Sequence, residues 1–102
     1  MTALLERFVR YLAAERHASP HTLRAYRAGL EAFVCFCAEA CGGDAGAVDA
    51  RLVRAYLAHL HRRGLDPVSV SRHLSALRSW FRFLVRRGVV ERNVARDVRG
   101  DA

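Results

Sequence analysis

The sequence predicts an all-α fold of four to five helices, and three observations predict it. Apolar residues recur at three- and four-residue spacing throughout, and no segment alternates residue by residue as a half-buried strand would. Ser19-Pro20 and Asp66-Pro67 each pair a capping side chain with a proline and so restart the chain. Gly42, Gly64 and Gly88 each stop a periodic run just past its end. With 102 residues, 52% of them hydrophobic, the chain suits one compact domain with one modest core and is not a disordered segment. No apolar run approaches the roughly 18 residues of a membrane span. The start, with Glu6 and Arg7 inside a helical pattern, is not a signal peptide. A cytoplasmic protein away from membranes is expected.

The first helix is expected over about Thr2 to Glu15, with Leu4, Leu5, Phe8, Tyr11 and Leu12 on one stripe. Ser19 caps the second, and Pro20 fits its first position because the N–H it lacks would be unpaired there. That helix runs to about Ala40, with Leu23, Tyr26, Leu30, Phe33, Val34 and Cys37 inward. The stretch from Cys41 to Gly46 reads as the one flexible loop. Asp49 caps the third helix, whose buried face is Leu52, Val53, Tyr56, Leu57 and Leu60, and Gly64 closes it. The fourth opens at Asp66-Pro67 with Val70, Leu74, Leu77, Phe81 and Leu84 inward and Trp80 at the margin. Asn93 caps a short turn through Asp97. Residues 1–98 then form the domain, and 99–102 read as the start of a linker. Short connections should fold the four helices into two hairpins.

Cys35, Cys37 and Cys41 are an odd set with no framework of spaced pairs. On a helix Cys37 and Cys41 share a face while Cys35 points nearly opposite, so the three cannot converge on a metal. Structural thiols in a reducing compartment are expected, with no metal and no cofactor.

Charge is distributed unevenly. The net charge is +7, and every base is an arginine. Residues 1–50 hold five arginines against six acids, whereas residues 51–102 hold twelve against four. The second half therefore has a side suited to a polyanion. On the fourth helix, opposite the apolar stripe, lie Ser69, Ser71, Arg72, Ser75, Ser79, Arg82 and Arg86, with Arg78 at the border. A solvated helix mixes acids with bases in four-residue pairs, yet from Pro67 to Val90 there is no acid. Small hydroxyl residues permit close approach, and interleaved arginines reach phosphates and guanine edges, a combination that suits a major groove. The alternative is an ordinary basic surface. At the start of the second helix His21, Arg24 and Ala25 point away from the core with Thr22 and Arg27 on the flanks, where the helix dipole favours a phosphate. Thr22 helping the cap and Arg27 pairing with Glu31 are the alternatives there.

Ser19-Pro20-His21-Thr22-Leu23-Arg24-Ala25-Tyr26 resembles the start of the second helix in Xer-type tyrosine recombinases and phage-type integrases. The stretch Val70-Ser71-Arg72-His73-Leu74-Ser75-Ala76-Leu77-Arg78-Ser79-Trp80-Phe81-Arg82-Phe83-Leu84 resembles that family's fourth helix, in the same order and at the same distance. Arg92-Asn93-Val94-Ala95 is similar to the Asn-Pro-Ala segment that closes the family's domain, with Val94 in place of proline. The similarity covers nearly the whole chain. It implies a SAM-like orthogonal bundle, the core-binding domain that closes over one side of a DNA duplex while a C-terminal catalytic domain holds the other. The implied partners are a double-stranded recombination half-site and, in the full-length tetramer, recombinase protomers of the same family. By position, Thr22 and Arg24 would meet DNA from the second helix, and Ser69, Ser71, Arg72 and Ser75 from the fourth. Arg72 is the candidate for a base edge, Arg27 and Arg78 for phosphates. His73 matches a position near DNA, with packing as the alternative because its angle lies close to the core.

Chemistry in this family needs a tyrosine nucleophile, arginines for the transition state, and Lys and His to handle protons. Here Tyr11, Tyr26 and Tyr56 all lie on expected core stripes, and there is no lysine. His59-Leu60-His61-Arg62 has the spelling of the family's His-x-x-Arg box, but no tyrosine follows it. The expectation is a domain that binds without cutting, its parent enzyme resolving chromosome dimers or integrating mobile DNA with catalytic residues in a further domain. Two other readings remain: a helical DNA-binding module with no catalytic domain, and a protein-interaction bundle whose arginine face meets an acidic partner.

Overall fold

Three of the four helices begin at a capping side chain, while the first, starting after Met1, has none. In a computed structural model describing residues 1–99, α1 spans Thr2–Ala14, α2 Pro20–Cys41, α3 Ala50–Arg62 and α4 Pro67–Arg86. The linker expected over 99–102 lies, apart from Arg99, outside the described residues. Ser19 Oγ accepts the Thr22 N–H at 3.1 Å, Asp49 Oδ1 that of Leu52 at 2.8 Å, and Asp66 Oδ1 that of Ser69 at 2.8 Å. Each bond occupies a donor that the first turn of a helix leaves without a partner. Pro20 and Pro67 follow their caps in the first turn. At the far ends of α3 and α4 the same paired turn recurs. Gly64 and Gly88 adopt φ of +91° and +74°. Leu65 and Val89 then donate back to Leu60 and Leu84 at 3.2 and 2.9 Å.

The segment expected to be a flexible loop is ordered. Gly42 ends α2 in the left-handed region, and a single 3-10 turn, Ala45–Ala47, follows with Asp44 as its cap. Asp44 Oδ1 accepts the Gly46 N–H at 3.0 Å. Ala45 and Val48 are buried, so two apolar anchors pin the connection to the core.

α4 is the central element, in contact with α1, α2 and α3. A helix packed from three sides buries a wider arc than one stripe. Trp80, expected at the margin, is accordingly fully buried, and Phe83 joins the core beside it. Two aromatic groups fill the interior. Phe8 of α1 meets Tyr26 edge-on and Phe83 at centroid distances of 5.9 and 5.3 Å. Phe33 of α2 meets Tyr56, Trp80 and Phe81 edge-on at 5.1, 6.5 and 6.5 Å. Burying one such ring contributes about 1.5–3 kcal/mol. On α1, which packs between α2 and α4, Val9 is buried while Leu4 and Tyr11 are only half-buried.

Beyond α4 the chain folds back in turns. Asn93 Oδ1 accepts the Ala95 N–H at 3.2 Å, and Ala95 and Val98 are buried. Cys37 is buried, Cys41 half-buried and Cys35 exposed. Burial pushes the Cys37 thiol up to about 12, so it packs as a neutral side chain. Among the described residues no cluster of His, Cys, Asp and Glu is placed to hold a metal, and no helix is long and apolar enough to cross a membrane.

Candidate nucleic-acid interface

The outward side of α4 is a continuous stripe at three- and four-residue spacing. Val68, Ser71, Arg72, Ser75, Arg82 and Arg86 are exposed on it, with Ser79 half-buried between them. Ser69 is half-buried and sits in the first turn, where Asp66 holds its N–H. That bond draws the Asp66 carboxyl below the usual carboxylate range, with smaller help from the Arg72 charge. The Asp66 carboxylate therefore belongs to the helix cap. Among the described residues the one ion pair is Arg27 with Glu6. Arg24, Arg72, Arg82 and Arg86 consequently present guanidinium groups with no acid in ion-pair reach.

α2 meets this stripe through Ala25, whose small side chain lets the two helix faces merge. Ala25 lines an open hollow of about 570 Å³ with Tyr26, Pro67, Val68, Ser71, Arg72 and Ser75. It also lines a second, of about 370 Å³, with Ala28, Gly29, Ser69, Arg72 and His73. Arg72 thus rises between two depressions, and Ser69, Ser71, Arg72 and Ser75 gather around Ala25. Arg24, next to Ala25 in sequence, is exposed to solvent. Thr22 is half-buried and opens onto another hollow, of about 490 Å³, shared with Ser79, Arg82 and Arg86. Its hydroxyl accepts from Ser19 Oγ at 3.0 Å while its N–H completes the cap, so Thr22 also serves the helix start.

Two of the expected phosphate contacts are engaged inside the fold. Arg27 reaches Glu6 on α1, not Glu31, and that hydrogen bond raises its pKa further above the ordinary arginine value. Arg78 Nε donates to the Ala95 carbonyl at 3.1 Å, and a terminal nitrogen donates to that of Val98. The reason is its place at the border of α4: the returning chain brings unpaired carbonyls there. His73 packs as well. Its ring lies edge-on to Tyr56 at 6.2 Å and covers Gly29, where an added Cβ would sit 3.6 Å from it. Burial lowers its pKa below the ordinary histidine value.

Sequence reasoning missed three contributors. Val68 lies one helical turn before Arg72 on the same stripe, and the i, i+4 relation was there to be read. Arg16 and Arg87 also line the hollow beside Thr22; Arg87 directly follows Arg86 at the end of α4, whereas Arg16, just past α1, arrives there only because α1 docks on α4. No spacing in the sequence signals that. The arrangement as a whole offers exposed guanidinium groups and small hydroxyls on one face, donors that suit phosphate oxygens and the acceptor edge of guanine. The tyrosines are placed otherwise. Tyr56 is buried, its phenol pushed up to about 12 by burial, and Tyr11 and Tyr26 flank Phe8 half-buried. His59, in the segment spelled like a catalytic box, packs 5.3 Å from Phe36.

The comparisons with known proteins agree with this architecture. Residues 5–88 match the family described as phage integrase, N-terminal SAM-like domain. The chain is 39% identical over 94 residues to tyrosine recombinase XerC of Salmonella typhi, covering 92% of this chain and 31% of that protein. It is 37% identical over 99 residues to tyrosine recombinase XerC of Xylella fastidiosa strain M23, covering 97% and 34% respectively. With tyrosine recombinase XerC of Oceanobacillus iheyensis it shares 42% over 89 residues, covering 87% and 29%. The chain spans about a third of the length of the curated relatives it matches. No solved structure matches it. With the family's signature running from Leu5 to Gly88, across the four helices and their punctuation, the chain belongs to the phage integrase N-terminal SAM-like domain family.

Proposed function

We propose that this domain grips one side of a duplex recombination half-site as the N-terminal clamp of a tyrosine site-specific recombinase. The observation that carries the reading is the acid-free outward stripe of α4, merged through Ala25 with the start of α2. In this reading α4 enters the major groove. Arg72 addresses a guanine edge while Ser69, Ser71 and Ser75 allow the backbone close and bind phosphates. Arg24 and Thr22 meet the neighbouring phosphates from α2. Arg82 and Arg86 extend the contact along the strand. Arg27 and Arg78 take a lesser part, since each already donates within the fold.

The domain itself binds and does not cut. Strand cleavage and rejoining belong to a catalytic domain elsewhere in a parent recombinase of the cytoplasm, assembled with protomers of the same family. Resolution of chromosome dimers or integration of mobile DNA is the process served. The test is a selection of the domain against a random duplex pool, followed by titration of the enriched sequence and a scrambled one at several salt concentrations. Preference for the enriched sequence, with a slope of about −0.9 per phosphate contacted in log affinity against log salt, is the expected result. Sequence-blind binding would remove the readout by Arg72. Absence of binding by both this domain and the longer gene product would transfer the basic face to an acidic protein partner.

A further inference from the structure

Val68 is out of keeping with its surroundings. It is the only apolar residue on the outward stripe of α4, and at 61% exposure the more open of the two large hydrophobic side chains left exposed among the described residues. A lone surface valine is ordinary. This one, however, forms a wall of the 570 Å³ hollow, whose other apolar walls are Pro67, Ala25, Tyr26 and Ala76. Arg72 stands on the rim of the same hollow, one helical turn along from Val68. The result is an open apolar trough beside an unpaired guanidinium, on a helix with no acid from Pro67 to Val90.

A phosphate can meet Ser71 and Ser75 where they line the hollow, but it does not fit the apolar walls, where its oxygens would lose water against alanine, valine and proline. An acidic peptide would use the arginine and leave the trough empty. One feature of DNA supplies both halves. The major-groove edge of thymine presents a C5 methyl, the one apolar group there, and guanine beside it presents the O6 and N7 pair that arginine takes in a fork. Val68 and Arg72, about 5–6 Å apart at Cβ as i, i+4 neighbours, lie close enough for the long arginine side chain to reach the base pair next to the one Val68 meets, stacked about 3.4 Å away along the strand. The trough is far larger than a methyl, so it admits a base edge and not a methyl alone.

We propose that the trough between α2 and the first turn of α4 receives the C5 methyl of a thymine neighbouring the guanine addressed by Arg72, with Val68 and Ala25 as its walls. The inference rests on the DNA-gripping reading and adds its specificity: a thymine beside a guanine is the step this domain recognises.

The test starts from a duplex enriched by this domain out of a random pool. Each thymine is replaced in turn by deoxyuridine, which removes the methyl and leaves the pairing intact. Replacement next to one guanine should weaken binding about three- to fivefold, as expected for loss of one buried methyl group. Replacement elsewhere should have no effect. Val68→Ala should bind the thymine and uracil duplexes alike, near the level at which the unaltered domain binds uracil. Val89→Ala, whose side chain borders a different hollow with Ala45 and Phe81, should keep the discrimination. Circular dichroism of each variant checks the helices. Uracil tolerated at every position, or discrimination surviving in Val68→Ala, overturns the proposal while leaving salt-dependent duplex binding in place. No enrichment of any duplex, with no salt-dependent binding, overturns the DNA reading itself and this inference with it.

Discussion

Asn93 and Arg78 tie the returning chain to the central helix in both directions. The Asn93 side-chain amide donates to the Arg78 carbonyl at 3.0 Å, and the Arg78 guanidinium reaches past it to the carbonyls of Ala95 and Val98. The latch covers the flank of α4 and leaves Ala95 and Val98 buried.

Arg78→Ala should therefore destabilise the domain by about 1–3 kcal/mol, the range for losing hydrogen bonds from a charged donor to partners that stay partly buried. Arg78→Lys should recover only part, because an ammonium lacks the fork that spans two carbonyls. Urea denaturation measures the loss, and hydrogen exchange at Ala95 and Val98 locates it. Unchanged stability with weakened duplex binding would instead return Arg78 to the phosphate role expected from sequence.

The aromatic interior contains two polar atoms without protein partners among the described residues, Tyr56 Oη and Trp80 Nε1. Tyr56→Phe removes one of them and keeps the ring against Phe33 and Phe36. The substitution should be neutral or stabilise by up to about 1 kcal/mol, since a buried hydroxyl without a partner costs on that order. Tyr56→Ala, which also empties the ring's volume, should lose about 3–5 kcal/mol. Equilibrium unfolding of the two variants side by side separates hydroxyl from ring. A clear loss in Tyr56→Phe would mean that the hydroxyl is bonded.

Much of this was legible in the sequence because it is local. Ser19, Asp49 and Asp66 sit where caps sit, and a cap needs only its own first turn. The same holds for Gly64 and Gly88 and for the acid-free face of α4. The burial of Trp80 and the intramolecular bonds of Arg78 were not legible for one common reason: both residues lie at the edge of the apolar arc, where angle alone does not say what covers them. Trp80 is covered because α4 is packed from three sides, Arg78 because residues 93–98 return to it. Likewise Arg27 chose Glu6 over Glu31, a partner 21 residues away that comes near only when α1 docks on α2. The convergence of Ser69, Ser71, Arg72 and Ser75 around Ala25 follows from one helix meeting another, and periodicity supplies only half of that contact.

The pH dependence of stability should have two windows. Burial depresses the folded pKa of His73 below the ordinary histidine value of about 6.5. The unfolded state then binds the proton first, so His73 contributes stability above about 6.5 that is lost as pH falls toward its folded value. Asp66, also depressed by its bonds to Ser69, loses its contribution at lower pH, beneath the ordinary carboxylate range. Thermal melts of the unaltered domain should show a decline beginning between pH 7 and 6. His73→Gln should flatten that upper part, and Asp66→Asn only the lower. A decline in the upper window unchanged by His73→Gln would place its origin elsewhere.

Arg72 and Arg82 share one stripe of α4 and differ in what surrounds them, and this difference should separate reading from gripping. Arg72 stands between two hollows lined by Ala25 and by serines, where a base edge can approach. Arg82 shares its hollow with Arg16, Arg86 and Arg87 against one acid, Glu15, an excess of positive charge that attracts phosphate whatever the base. Arg72→Ala should then weaken binding to the enriched duplex by about 1–3 kcal/mol and relax the preference at one base pair. Arg82→Ala should cost less, act equally on enriched and scrambled duplexes, and reduce the salt slope by about 0.9. Titrations of both variants against both duplexes at three salt concentrations check each part. Equal, sequence-blind losses at the two positions would make Arg72 a phosphate contact and leave the domain without a base reader on α4.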